Sequence, residues 1–552
     1  MKMARNWWRI GQGSLLATAL LAAPHSTQSA VPASGIERLQ QLARLPQLSF
    51  NLGLSFTATD GFELLAGAQD PARAIEALRQ RLADNPGDAS QYARLGRLLA
   101  TLYENPLSQR AYVQAAELYE QQGAAEGRDV ARLVGYAEVL REQGKPDQAG
   151  RLLRRAVEVA PTNWLAHGSL ARFLAWSALK SAAGPAGTAD LFLNPATFRP
   201  EAAFVEPARR LMDEARAAAD RAVALGSRES GAFSGRAVVA SLQRVLETLT
   251  APAEAGAVDA AERTMAINRA IFQRETLPDL WTAARLAGDD PDAWGCAALC
   301  ELLAEAFQRG LQQMDALLTG EFWPVMPETT RARVRDAITR LQTLGDSPEP
   351  ASAAAALTLL GTLQFFVLRD TVGGEASLRR ATTVDPGFPG GWEALTFGLV
   401  MSKRFEALLE VCQARLKHAD NLRNRVLLAK ACEKNRQPTA MLAELERAQQ
   451  RHPDALLANL ALGAAWVKTG ATEVERARAL PFLARATQLA GEAPPREIAL
   501  EVAFQRGLYF ALSGQRSVAR THFRRMLELD PENAEATEAL QALDQFAPGV
   551  GA

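Results

Sequence analysis

Apolar positions along the chain recur at helical spacing in paired blocks, and the pairs are built alike. The clearest is Leu500 to Pro531, LEVAFQRGLYFALSGQRSVARTHFRRMLELDP. A small residue, Gly507, falls where two helices would touch; Phe510 follows, and Gly514 sits at a turn. Ala519, Phe523 and Met526 then form an apolar stripe, and Pro531 closes the unit. The same order appears from Val130 to Pro161, through Ala137, Leu140, Gly144, Ala149, Leu153 and Ala156. Each block predicts two amphipathic helices joined by a short turn, small where they cross and large where they pack. On this pattern Gly507 is expected to face Ala519 at the crossing.

The paired block resembles the tetratricopeptide repeat, whose unit is about 34 residues, and the resemblance covers roughly three-quarters of the chain. It implies an all-α fold, an α-solenoid of tetratricopeptide-like helical hairpins forming a right-handed superhelix, with first helices lining a concave groove. In such an array each unit buries its stripe only against its neighbours, so 552 residues need not be divided into several globular domains. The expected organisation is a signal peptide over 1–33, an N-terminal lead-in segment over 34–69 and an N-terminal array over 70–227. Degenerate helical repeats follow over 228–353, and a C-terminal array with an end-capping helix runs over 354–552. The lead-in holds a short helix from Ile36 to Leu45, then SFNLGLSF, whose alternation fits either a brief extended piece or irregular chain. An insert at 181–207 interrupts the first array with four prolines. Its apolar residues Leu191, Phe192, Leu193 and Phe198 would pack on their own repeat or lie across the groove.

Export is read from the N-terminus. Lys2, Arg5 and Arg9 precede an apolar run from Ser14 to Ala23, then Pro24 and small polar residues. That order is the layout of a secretory signal, with cleavage after Ala30 or Ala33 and a periplasmic or secreted product. No later stretch is long enough to span a bilayer. Charge is balanced, 61 Lys plus Arg against 62 Asp plus Glu, so no overall field exists to hold nucleic acid. Four cysteines, Cys296, Cys300, Cys412 and Cys432, make no disulfide framework and are expected as free core thiols.

Catalytic motifs are missing from the sequence. It contains no phosphate-binding GxxxxGK[ST] loop, no GxSxG elbow, no HExxH and no paired CxxC. Asp289, Asp290 and Asp292 precede a helix opening at Pro291 and read as helix-capping residues. Trp164, Trp392 and Trp466 fall on packing faces, and His167 reads as structural. No catalytic residue, cofactor or metal site is expected. The expected function is a non-enzymatic scaffold holding a protein or peptide segment in its groove; the alternative is an enzyme or small-ligand site in the irregular 181–350 region.

Transferring the family's inward positions onto the regular C-terminal units predicts a groove of Phe397, Met401, Arg423, Val426, Lys430, Leu457, Leu460, Lys468, Phe504 and Leu508. Its apolar centre and basic flank would suit a segment with apolar anchors and acidic residues. Inward positions Glu138, Arg172, Phe397, Lys430, Ala464 and Leu508 include no Asn, which argues against the carboxylate clamp some relatives use. The competing assignment puts several of these residues in the core, because a one-residue phase error rotates a helix face by about 100°.

Overall fold

The computed structural model describes residues 35–45, 54–57, 61–64, 71–101, 105–184, 200–251, 260–310, 322–491, 496–531 and 533–545. The expected signal segment, and Leu191, Phe192, Leu193 and Phe198 of the insert, lie outside these.

In chain order, α1 (Gly35–Leu42) leads to a two-stranded antiparallel hairpin, β1 (Leu54–Thr57) and β2 (Gly61–Leu64), in register Leu54 to Leu64 and Thr57 to Gly61. Only Leu54, Ser55 and Phe56 of SFNLGLSF are among the described residues, and these are extended in β1; the hairpin is the minor β element among otherwise helical elements of the described residues. The helices that follow are α2 (Pro71–Asp84), α3 (Ala89–Thr101), α4 (Asn105–Gln121), α5 (Val130–Glu142), α6 (Pro146–Val159), α7 (Trp164–Ala183) and α8 (Ala202–Leu225). Next come α9 (Ser230–Thr250), α10 (Ala260–Ile271), α11 (Leu277–Ala287), α12 (Pro291–Arg309), α13 (Phe322–Val325), α14 (Glu328–Leu344), α15 (Pro350–Thr362) and α16 (Thr371–Val384). The chain continues through α17 (Pro389–Met401), α18 (Phe405–His418), α19 (Leu422–Lys434), α20 (Pro438–Arg451), α21 (Leu456–Thr469), α22 (Glu473–Ala477) and α23 (Ala479–Ala490). It ends with α24 (Arg496–Leu512), α25 (Arg516–Leu529) and α26 (Ala534–Asp544).

Each regular unit is a hairpin of a first and a second helix, and three local devices recur. At the crossing, a glycine of the first helix lies against a large side chain of the second. A Cβ at Gly96 would stand 2.8 Å from Tyr112, at Gly361 2.6 Å from Leu378, at Gly463 2.6 Å from Leu483, and at Gly507 2.5 Å from Phe523. The residue nearest Gly507 is thus Phe523, one turn beyond the expected Ala519, which is itself fully buried. Within the hairpin the chain turns through the left-handed region, at Gly144, Arg369, Lys403, Arg436 and Gly514. The following N–H then reaches back over the helix end, as in Lys145 to Leu140 (2.8 Å), Arg404 to Leu399 (2.9 Å), Gln437 to Cys432 (2.9 Å) and Gln515 to Phe510 (2.8 Å). Between hairpins, a proline carbonyl is bonded by a side chain one and a half turns on: Pro161 by His167, Pro386 by Trp392, and Pro453 by Asn459. These are tetratricopeptide-type hairpins, stacked neighbour on neighbour.

The chain divides into two compact units, one spanning Phe50–Gly398 and the other joining Pro24–Ser49 to Leu399–Ala552. The division falls inside α17 rather than at the expected 353/354 boundary. In the first unit the 228–353 region continues the stack. One apolar cluster runs from Ala89 to Ala270, and a second takes over from Ala237 to Ala381. The 181–207 insert is partly helical at its ends, since α7 runs to Ala183 and α8 starts at Ala202 with Pro207 inside it. In the second unit, the lead-in helix α1 packs against α24 and α26, far from its neighbours in sequence. That placement is the feature on which the site depends.

Candidate functional site

α1 reads IERLQQL within an amphipathic pattern, and its apolar stripe is what docks. Leu39 is fully buried, Ala43 and Leu45 nearly so, while Ile36, Gln40 and Gln41 face outward. Leu39 and Ala43 join one apolar cluster with Leu460 of α21, Phe504 and Leu508 of α24, and Ala536, Ala539 and Leu543 of α26. α24 and α26, the helices α1 packs against, follow the second-helix positions of the preceding hairpins, so the segment lies on the first-helix face of the second unit.

Polar contacts fix it there. The Arg44 guanidinium forks onto Glu535, Nε to Oε1 at 3.0 Å and Nη2 to Oε2 at 2.9 Å. Its third nitrogen, Nη1, donates to both oxygens of Glu501 at 3.0 Å, and the group lies 4.7 Å above the centre of the Phe504 ring. Burial works against the charge, but the Glu535 and Glu501 carboxylates hold the Arg44 pKa above its ordinary value. Gln505, fully buried, donates from Nε2 to the Arg44 carbonyl at 3.0 Å and to Glu501 Oε1 at 2.8 Å. The face thus supplies an apolar slot, a pair of carboxylates, an aromatic platform and an amide for a main-chain carbonyl. Those are the means by which a polypeptide segment is held.

The ten predicted groove residues divide. Leu460, Phe504 and Leu508 belong to the apolar cluster that Leu39 and Ala43 join. Lys430 is half-buried beside it; burial pushes its pKa down to about 8, against the pull of Glu501 and Glu433. Met401, at 39% exposure, Leu457 and Arg423 are open in whole or part. Lys468 is tied to Glu433 at 2.6 Å. Val426 is fully buried, and Phe397, 1% exposed, belongs to the core of the first unit. Both are core residues rather than open groove positions. The basic flank is also not what the docked segment meets, because Glu501 and Glu535 receive an arginine. Sequence reasoning missed Arg44, Glu501, Gln505 and Glu535; the one signal for them was the amphipathic 36–45 pattern.

Elsewhere, titratable groups are held structurally. In α12 the buried Glu301 accepts from Trp281 Nε1 (2.8 Å) and Thr330 Oγ1 (3.0 Å) and pairs with Arg333. Glu305 pairs with Arg274 and Arg309, both at 2.7 Å. Asp290 caps α12, accepting from the Asp292 N–H, and Asp289 pairs with Arg340. All four cysteines are buried and free; burial holds the Cys412 thiol up at about 12. In the first array, Glu138 is half-buried near Arg97 at 3.8 Å, and desolvation raises its pKa. Trp392 is core, whereas Trp164 and Trp466 are half-buried, Trp466 beneath the Arg478 guanidinium. Among the described residues no cluster of His, Cys, Asp or Glu is arranged for a metal, and no helix is long and apolar enough to cross a membrane.

No protein-family profile and no curated protein matches the chain. Solved structures similar to it include YrrB, a TPR protein with an unusual peptide-binding site. That likeness has 16% identity over 34% of this chain and 92% of that one, with a TM-score of 0.26. Yeast Tom70 gives 13% identity over 83% and 94%, with a TM-score of 0.27. The human IFIT1 dimer with m7Gppp-AAAA gives 11% identity over 92% and 89%, with a TM-score of 0.32. At such identities and scores these likenesses carry no argument about partners.

Proposed function

We propose that the protein is a non-enzymatic interaction scaffold whose C-terminal array takes a segment of another polypeptide on its first-helix face. One observation carries the reading: that face already holds a polypeptide segment by side-chain charge, main-chain carbonyl and apolar anchor together. A photo-cross-linking residue placed at Leu457 or Lys468, beside the face, is expected to yield a discrete protein adduct in cells. The same residue at Val372, 79% exposed on a second helix, is expected to yield none. Adducts equal at all three positions, or absent from all three, would overturn the reading.

We also propose that the scaffold works in the cell envelope. Support comes from the order of Lys2, Arg5, Arg9 and the Ser14–Ala23 run. Intact-mass measurement of the exported protein should show a chain starting between about residues 24 and 34. Retention of Met1 in soluble protein would count against it.

A further inference from the structure

We propose that residues 35–45 are an exchangeable occupant of the first-helix face, and that the partner replacing them presents a short amphipathic helix followed by an arginine. The inference rests on the reading that this face takes a polypeptide segment, and it specifies which kind.

The chemistry of the occupant is written on the face itself. Glu501 comes from α24 and Glu535 from α26, so the fork that grips Arg44 is assembled by the last hairpin and the end helix together. Gln505, one turn from Glu501, orients that carboxylate and accounts for one main-chain carbonyl of whatever lies there. A planar, five-donor guanidinium satisfies two carboxylates and an aromatic face at once; a lysine ammonium does not. Five residues before the arginine, Leu39 fills the apolar slot, and Ala43 packs one turn later. The sequence requirement is therefore a leucine, a small residue one turn on, and an arginine directly after it. An acidic segment, the kind expected from the basic residues of the neighbouring helices, would meet Glu501 and Glu535 and be rejected.

Two observations mark the cis segment as replaceable rather than as part of the repeat framework. Among the described residues it is joined to the second unit through side chains and one main-chain carbonyl, packing on α24 and α26 rather than in a hairpin with α2. It also leaves the face incompletely served. Gln505 Oε1 is buried with no hydrogen-bond donor among the described residues. A partner segment that brings a donor to this oxygen would serve the face more fully.

The test uses the full chain and a fluorescent peptide of residues 34–46. A chain with Leu39→Asp and Arg44→Glu should bind the peptide at least tenfold more tightly than wild type, whose face is filled in cis. Arg44→Glu in the peptide should weaken binding to the opened chain tenfold or more, and Arg44→Lys should weaken it measurably. Glu535→Lys in the opened chain should restore binding of the Arg44→Glu peptide. An opened chain that keeps its helicity but binds no peptide, or binds both charge forms alike, would overturn the proposal. Should the opened chain fail to fold, a protease site between residues 46 and 53 of the wild-type sequence provides the second arm. After cleavage, excess labelled peptide should replace the released segment within hours. Retention of the original segment without exchange overturns the proposal. Adducts at Leu457 or Lys468 without peptide exchange would remove this inference alone; exchange without adducts would remove the external partner and leave an internal switch.

Discussion

Arg436 turns through the left-handed region at φ 56, as do Lys403 at φ 56 and Arg369 at φ 58. Equivalent turns at φ 83 and φ 79 use Gly144 and Gly514. The same hydrogen bond closes the turn at Lys403 and Arg436 as at the glycines, so the arginine and lysine side chains pay a steric cost that glycine avoids. Arg436→Gly is expected to stabilise the second unit by about 1 kcal/mol, read as a higher urea midpoint with an unchanged slope. Lys430 has a different signature. The unfolded chain keeps its proton to an ordinary lysine pKa, whereas the folded chain releases it near about 8. Between those values the unfolded state binds more protons, so stability from this group rises with pH above about 8. Glu501, Glu433, Arg44 and Lys434 are the charges acting on it. The difference in stability between wild type and Lys430→Met should therefore shift in favour of wild type between about pH 7.5 and 9.5. A pH-independent difference would place Lys430 in solvent.

At the scale of the element, the crossing of α24 and α25 shows what packing demands. A methyl group at Gly507 would stand 2.5 Å from the Phe523 ring, which is itself fully buried. Gly507→Ala is expected to destabilise by about 1–3 kcal/mol despite alanine's better helix propensity, because the ring has nowhere to move. Phe504→Ala, from a site 1% exposed, should cost about 3–5 kcal/mol and free Arg44 from its aromatic platform. The loss of stability and the loss of the docked segment would then appear together, so Phe504 is not a clean probe of binding. The hairpins themselves were legible. Leu500 to Pro531 became α24 and α25, and Val130 to Pro161 became α5 and α6, because period, small crossing residue and closing turn all act locally. The candidate face was legible only in part. Leu460, Phe504 and Leu508 belong to the apolar cluster that Leu39 and Ala43 join, whereas Val426 and Phe397 are core residues outside it; apolar residues on both faces of a first helix give no phase. For Arg44 the amphipathic 36–45 pattern was the only signal, and it does not say where the segment docks. Its partner Glu501 lies 457 residues away, and a short amphipathic pattern reads the same wherever it docks.

At the scale of the whole molecule, stability in a stack is a sum over neighbours, and a change in one unit is not expected to spread to the other. The docking of α1 is the exception to sequence order, because it makes the start of the described chain part of the end of the array. Cleavage after Ala30 or Ala33 would leave that helix only a few residues from a free terminus, tethered on one side. Hydrogen exchange of the full-length protein tests the central claim most directly, comparing wild type with the Leu39→Asp, Arg44→Glu chain. Amides of 36–45 should be protected in wild type and lose that protection in the variant. α24 and α26 should exchange faster, while α5 and α6 in the first unit stay unchanged. Unprotected 36–45 amides in wild type, or α24 and α26 unaffected by the substitutions, would contradict the account.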